Sequence, residues 1–242
     1  MKAHLRMWLL PCLLAAAPVF AADEPVAKAP NFVRPAELDL TVLLPPPPAM
    51  DSTETKAELA TLRELQKIRS PERAKIAEED NTETVFEVVR DQLGPNFAAE
   101  NLPTAATFFK RLLSDEGIVV DTAKAAWARP RPFLVDSTLV PCPPAKKYGA
   151  YPSGHATVGY LSAIVLSEMV PERRPQIFSA AARYAESRLI CGVHYPSDIA
   201  ASRAVAAVMA VQVHESPQFQ KEFAAAKAEV RSRLGLTTAA AQ

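Results

Sequence analysis

From residue 53 onward, apolar side chains recur at helical spacing, and no run reads convincingly as an alternating strand. Leu59, Leu62, Leu65 and Ile68 fall at intervals of three, which predicts one face of a helix from Thr53 to near Ser70-Pro71. Pro71 suits the first turn of a second helix, through about Glu79. Asn81 or Thr82 is placed to cap a third, with Val85, Phe86, Val88, Val89 and Leu93 inside and Gly94-Pro95 as its stop. Pro103 opens a fourth that buries Phe108, Phe109, Leu112 and Leu113; Gly117 is expected to break it. A further helix from about Val119 to Trp127 carries Lys124, and Arg129-Pro130-Arg131-Pro132 ends it, because each proline restricts the residue before it. After a Pro-rich loop over 134–150, helices are expected from Gly154 to about Val170 and from about Glu172 to Ile190. Two more follow, roughly 198–214 with Ser197 as cap, and about 216–233 with a polar, peripheral face. The fold class is therefore all-α, a compact helical bundle without internal repeats.

The N-terminal 50 residues have a different character. Lys2 and Arg6 precede an apolar run from Met7 to Ala17, and Val19-Phe20-Ala21 offers small residues where a signal peptidase inspects the chain. Residues 1–21 read as a signal peptide. As a membrane anchor the run is short, and Pro11 and Pro18 interrupt it. Residues 22–50, with Pro45 to Pro48 as a stiff stretch, read as an extended arm over the domain, or else as disordered chain. That leaves 51–242 as a single helical domain, and the protein is expected to be exported, periplasmic in a Gram-negative source.

Composition excludes more than it selects. The 242 residues are 49% hydrophobic, enough for a core, and 27 basic residues balance 27 acidic ones. Removing Lys2 and Arg6 from the 27 basic residues leaves 25 against 27 acidic, a net charge of −2. Nothing there suits a general binder of nucleic acid or membrane surfaces, so any concentration of positive charge must be local. Past the signal segment two cysteines remain, Cys142 and Cys191, which an oxidising compartment allows to bridge or to stay as separate buried thiols. With His155, His194 and His214 they form no recognisable metal-ligand spacing.

The candidate chemistry is cationic and imidazole-rich. Ser153-Gly154-His155 sits at a helix start, where outward N–H groups and the helix dipole favour an anion and glycine admits close approach. Lys124 precedes Arg131 by seven positions, so both can face one site as point charge and planar fork; Arg129 is an equivalent choice on spacing alone. Arg188 adds a third cation. Asp198, four residues after His194, can hold one imidazole nitrogen and leave the other as a nucleophile. Tyr148, Tyr151 and Tyr195 could line the pocket, and His214 reads as a surface or packing residue.

Lys124-x6-Arg131-Pro132, Pro152-Ser153-Gly154-His155 and Ser187-Arg188-x5-His194-x3-Asp198 together resemble the three-part signature of the type 2 phosphatidic acid phosphatase superfamily. That superfamily includes vanadium haloperoxidases, lipid phosphatases and bacterial acid phosphatases. The chain looks most like the soluble class A non-specific acid phosphatases, from about residue 36 to 223, with Leu43-Leu44, Pro45 to Pro48 and Cys191-Gly192-Val193-His194 in support. Tyr195 departs from the Trp expected there in many relatives.

The resemblance implies Arg131 rather than Arg129 at the phosphate. It also implies His194 as nucleophile, Asp198 as the carboxylate that orients His194, His155 as acid and then base, and Lys124, Arg131, Ser153, Gly154 and Arg188 as the phosphate cradle. No metal and no cofactor are implied. The expected ligands are small phosphate monoesters, with vanadate or inorganic phosphate as inhibitors and with oligomerisation as a family habit. A vanadate-dependent haloperoxidase and a phosphate-binding protein without turnover are the alternatives.

Overall fold

The structure is a computed structural model that describes residues 29–142 and 149–236. The signal segment 1–21, the first residues of the arm and Tyr148 lie outside those residues. Every regular element among the described residues is helical.

Five helices begin on a Ser or Thr whose side-chain oxygen accepts an N–H of the first turn, satisfying one of the donors that a helix start leaves open. Ser52 accepts from Thr55 in α2 (Thr53–Ile68), Ser70 from Arg73 in α3 (Pro71–Glu79) and Thr84 from Glu87 in α4 (Val85–Val89). These follow a short α1 (Leu40–Leu43) in the arm. α5 (Pro103–Trp127) has no such cap of its own; Glu229, from the last helix, accepts from its Thr104 and Ala105 N–H groups. After α6 (Pro132–Val135), Ser153 caps α7 (Gly154–Met169). α8 (Arg174–Ile190) and α9 (Pro196–Val213) follow, and Ser216 caps α10 (Pro217–Arg233).

α7 is buried on almost every face, as expected of a helix whose apolar residues run all round. It packs against α8 and α9, with α5 across it and α10 on α5. Phe32, Phe108, Phe219 and Phe223 form an aromatic cluster where the arm, α5 and α10 meet, so α10 is more than a polar periphery. The arm buries Phe32, Val33, Leu38, Leu40 and Leu44. The buried carboxylate of Asp115 accepts the N–H groups of Asn31, Phe32 and Val33, pinning the arm to α5.

Four local expectations need correction. Gly117 does not break a helix: α5 runs through it without interruption. The third helix is capped by Thr84, not Asn81 or Thr82, and ends at Val89, where Arg90 turns with φ 37° into a 3-10 segment. Along α2 the buried positions are Thr55, Glu58 and Leu62, while Ile68 is 69% exposed. α9 begins at Pro196, one residue before Ser197, with Tyr195 as its cap residue.

Candidate active site

α5 delivers the first cation. Lys124 lies in its last turn, and Ala128 closes the helix in the left-handed region, φ 43°. The chain then runs extended through Arg129-Pro130-Arg131, where alternate side chains point to opposite sides. Arg129 therefore turns inward, and its guanidinium donates to Glu58 (2.8 Å), Ser197 Oγ (2.7 Å) and Asp198 (2.6 Å) while lying 3.8 Å over the Tyr195 ring. Arg131 turns the other way. Its Nη1 donates to the Val193 carbonyl (2.9 Å) and stands 2.6 Å from His194 Nε2.

His194 is reached through the turn after α8. Gly192 holds φ 62° there, a conformation that favours glycine, and a Cβ would push on the end of the Gln66 side chain at 2.7 Å. Cys191, just before it, is bonded to Cys142. His194 Nδ1 lies 3.2 Å from Asp198 Oδ2, which also accepts the Tyr195 N–H at 2.8 Å. The Asp198 carboxylate thus faces three donors, fixing the proton on Nδ1 and leaving the Nε2 lone pair toward Arg131. Burial, then the charges of Arg131, Lys124, His155 and Arg188, hold the His194 imidazole well below its ordinary value of 6.5. Burial pushes the Asp198 carboxyl up to about 7, against the opposing pull of Arg129 and the Tyr195 N–H.

His155 is in the first turn of α7. Its Nδ1 is 2.8 Å from Glu83 Oε1 and its Nε2 3.1 Å from the Asn81 carbonyl. With an acceptor at each nitrogen, both contacts are hydrogen bonds only when both nitrogens carry protons. Tyr184 stacks beneath the ring at 6.3 Å, and its hydroxyl donates to the Thr82 carbonyl. The loop carrying Asn81 and Glu83 is anchored by Asp80, a buried carboxylate that accepts from Arg90, Arg183 and Ser187 Oγ. Arg188, next to Ser187, donates to Asn81 Oδ1 and to the Ala77 carbonyl; burial lowers its guanidinium from the ordinary value.

These groups meet in one cavity of about 380 Å³, whose walls include Lys124, Arg131, Gly154, His155, Arg188 and His194. Gly154 is tightly enclosed: a Cβ would lie 2.9 Å from Glu116 Oε1 and 3.2 Å from Lys124 Nζ. Asp198 stands behind His194 and not in the wall. Ser153 is fully buried as the α7 cap, its Oγ accepting the Ala156 N–H and its own N–H donating to Ser202 Oγ. Tyr151 and Tyr195 are not in the wall either. The Tyr151 hydroxyl donates to the Pro45 carbonyl, and Tyr195 lies under Arg129. His214 pairs with Glu168 at the surface.

Sequence reading missed several residues here. Glu83, Glu116, Asn81 and Asp121 also line the cavity, and Glu58 holds Arg129, which in turn holds Asp198. None has a local signal. Glu58 and Glu83 look like the solvated charges around them, and only the chain segments brought beside them make them different.

Two imidazoles and three cations line one small cavity on a helical frame. Residues 108–222 match the PAP2 superfamily. The non-specific acid phosphatase of Salmonella typhimurium is 30% identical over 246 residues, covering 98% of this chain and 96% of the relative. That of Providencia stuartii is 31% identical over 200 residues, 79% of this chain and 81% of the relative. The chain belongs to the PAP2 superfamily, as a member of its acid phosphatases.

Among solved structures, the fold resembles a bacterial vanadium-dependent iodoperoxidase with TM-score 0.54. The two are 22% identical, over 71% of this chain and 52% of that one. It also resembles a transmembrane PAP2-type phosphatidylglycerolphosphate phosphatase from Bacillus subtilis, TM-score 0.50 and 15% identical, over 75% of this chain and 94% of that one. At such identities the likeness speaks for the fold alone. Among the described residues no helix is long and apolar enough to cross a membrane.

Proposed function

We propose that the chain is an exported, periplasmic phosphatase that hydrolyses small phosphate monoesters with broad specificity, through a phosphohistidine formed at His194. The observation that carries this is the orientation of His194. Asp198 occupies Nδ1, and Nε2 stands beside Arg131 at the wall of a cavity that also holds Lys124, Arg188 and His155. A nucleophile held neutral by burial stays reactive in acid.

In the first step Nε2 attacks phosphorus in line, the P–O bond to the alcohol breaks, and His155 gives its proton to the departing oxygen. In the second, His155 takes a proton from water, whose oxygen attacks the phosphohistidine, releasing inorganic phosphate and restoring both imidazoles. Lys124, Arg131, Arg188 and the Gly154 N–H stabilise the equatorial oxygens as charge redistributes, and such preorganised electrostatics is usually the largest catalytic contribution. Ser153 contributes as the cap that aims the start of α7. Inorganic phosphate and vanadate, which mimic the tetrahedral and trigonal states, should compete with substrate.

The test is hydrolysis of p-nitrophenyl phosphate with EDTA present. Wild type should turn over. His194→Ala should fall to background, and His155→Ala should lose about 10²–10⁴-fold. Rapid quench should trap an acid-labile, base-stable phosphoryl group in wild type and not in His194→Ala. Undiminished turnover by His194→Ala would overturn the reading.

A further inference from the structure

A second cavity, of about 470 Å³, adjoins the first; Val85, Phe86, Phe109, Leu113 and Val158 give it an apolar wall, beside polar residues such as Lys110 and Ser114. Three separate segments run from one cavity into the other. Before α4, Asn81 and Glu83 line the first, and Glu83 through Phe86 line the second. Along α5, Lys124, Asp121 and Gly117 line the first, and Leu113, Lys110 and Ala106 the second, a single stripe at spacings of three and four. On α7, His155 lines the first and Val158, about one turn on, the second. Glu83 lines both and contacts His155 Nδ1.

We propose that this apolar groove is the subsite for the leaving group, and that within the proposed broad specificity it favours phosphate monoesters of aromatic alcohols. The inference rests on the phosphatase reading above. In-line attack from His194 sends the scissile oxygen to the opposite face of phosphorus, where His155 protonates it. The steps along α7 and the α4 segment then lead onward from His155 and its partner Glu83 into the groove, so the alcohol's remaining atoms have a path there. Its volume falls in the range of about 300–1,000 Å³ typical of small-molecule pockets. Phe86 and Phe109 offer ring faces and edges to an aromatic group. A glycerol or sugar would gain less, because its hydroxyls find partners only at Glu83, Thr84, Lys110 and Ser114 and none along Phe109, Leu113 and Val158.

Two variants fill the groove from its edge. Ala99→Trp changes an exposed residue, and Ala106→Phe changes a partly exposed one on α5. Each is compared with wild type on 1-naphthyl phosphate and glycerol 1-phosphate. The change on mutation is the readout, because naphthol is the better leaving group whatever the site. For at least one variant that keeps the wild-type circular dichroism spectrum, kcat/KM for the naphthyl ester should fall tenfold or more, with the glycerol ester within twofold. Parallel losses on both esters, or none on the naphthyl ester in either variant, would overturn the proposal.

Fluorescence titration with 1-naphthol separates this inference from the phosphatase reading. If wild type hydrolyses neither ester, that reading has failed, and the titration still decides the groove. Saturable binding lost in the filled variants supports it, and absence of saturable binding overturns it.

Discussion

Glu83 and Asp198 each hold an imidazole, but the rest of each ring's surroundings differ. His155 meets acceptors at both nitrogens, Glu83 and the Asn81 carbonyl, an arrangement suited to the protonated ring. Charged and titratable groups around that cavity are Glu83 from the loop before α4, Glu116, Asp121 and Lys124 from α5, Tyr184 and Arg188 from α8, and Arg131 and His194. Removing the Glu83 carboxylate takes away the acceptor at His155 Nδ1 and leaves the ring free to turn. For Glu83→Ala, kcat/KM should fall several-fold with the circular dichroism spectrum unchanged; an unaltered kcat/KM would mean that Glu83 does not position the ring.

At the other ring, the two shifts oppose in stability. The folded state binds fewer protons than the unfolded one at His194 below 6.5, and more at Asp198 between 3.8 and about 7. From His194 alone stability is fully present above 6.5 and lost as pH falls; from Asp198 alone it is present in acid and lost as pH rises through about 7. In wild type the two run in opposite directions between pH 4 and 6.5. In His194→Asn the opposing His194 contribution is gone, so urea-unfolding stability should decline from pH 4.5 to 7 more steeply than that of wild type.

Among the elements, α5 shows how packing overrides a local rule. A glycine inside a helix costs about 1 kcal/mol relative to alanine. Gly117 is flanked by Leu112, Leu113, Val119 and Val120, all buried, and their burial outweighs that cost. A Cβ at Gly117 would meet nothing nearer than Asp121 at 4.0 Å. Gly117→Ala should accordingly raise stability by about 1 kcal/mol, a Tm gain of about 2–4 °C by calorimetry in a chain of this size. In α2 the error was one of period. Residues three apart rotate by about 300°, so Leu59, Leu62, Leu65 and Ile68 drift about 60° per step and Ile68 ends on the far side from Leu59. The face that is buried follows Thr55, Glu58 and Leu62, and its glutamate is tolerated because Arg129 meets it.

Across the molecule, the site depends on connections between distant segments. Asp80 ties the Asn81–Glu83 loop to α8, Arg129 ties α2 to the start of α9, and the Cys142–Cys191 bridge ties the loop after α6 to the turn before His194. With its cysteines 49 positions apart in the sequence, the bridge removes unfolded-chain entropy worth about 4 kcal/mol in the loop-closure account. A Cys142→Ala/Cys191→Ala double variant should lose about 2–4 kcal/mol in urea unfolding. Its kcat/KM should also drop, since Cys142 lines the cavity and Cys191 leads into the turn that carries His194.

The all-helical class, most helix starts and the motif residues were legible in the chain order, because caps, prolines and apolar period act within a few residues. Lys124, His155 and His194 could be picked out because their types and spacings are rare together, and resemblance to the family chose Arg131 over Arg129. The partition of Arg129 from Arg131 by contact, the continuity of α5, the roles open to Glu58 and Glu83, and the groove beside His155 were not legible. Each depends on which side chains from remote segments arrive at one point. Burial there turns an ordinary surface charge into a paired one, and that energy is a property of the packed chain and of no stretch within it.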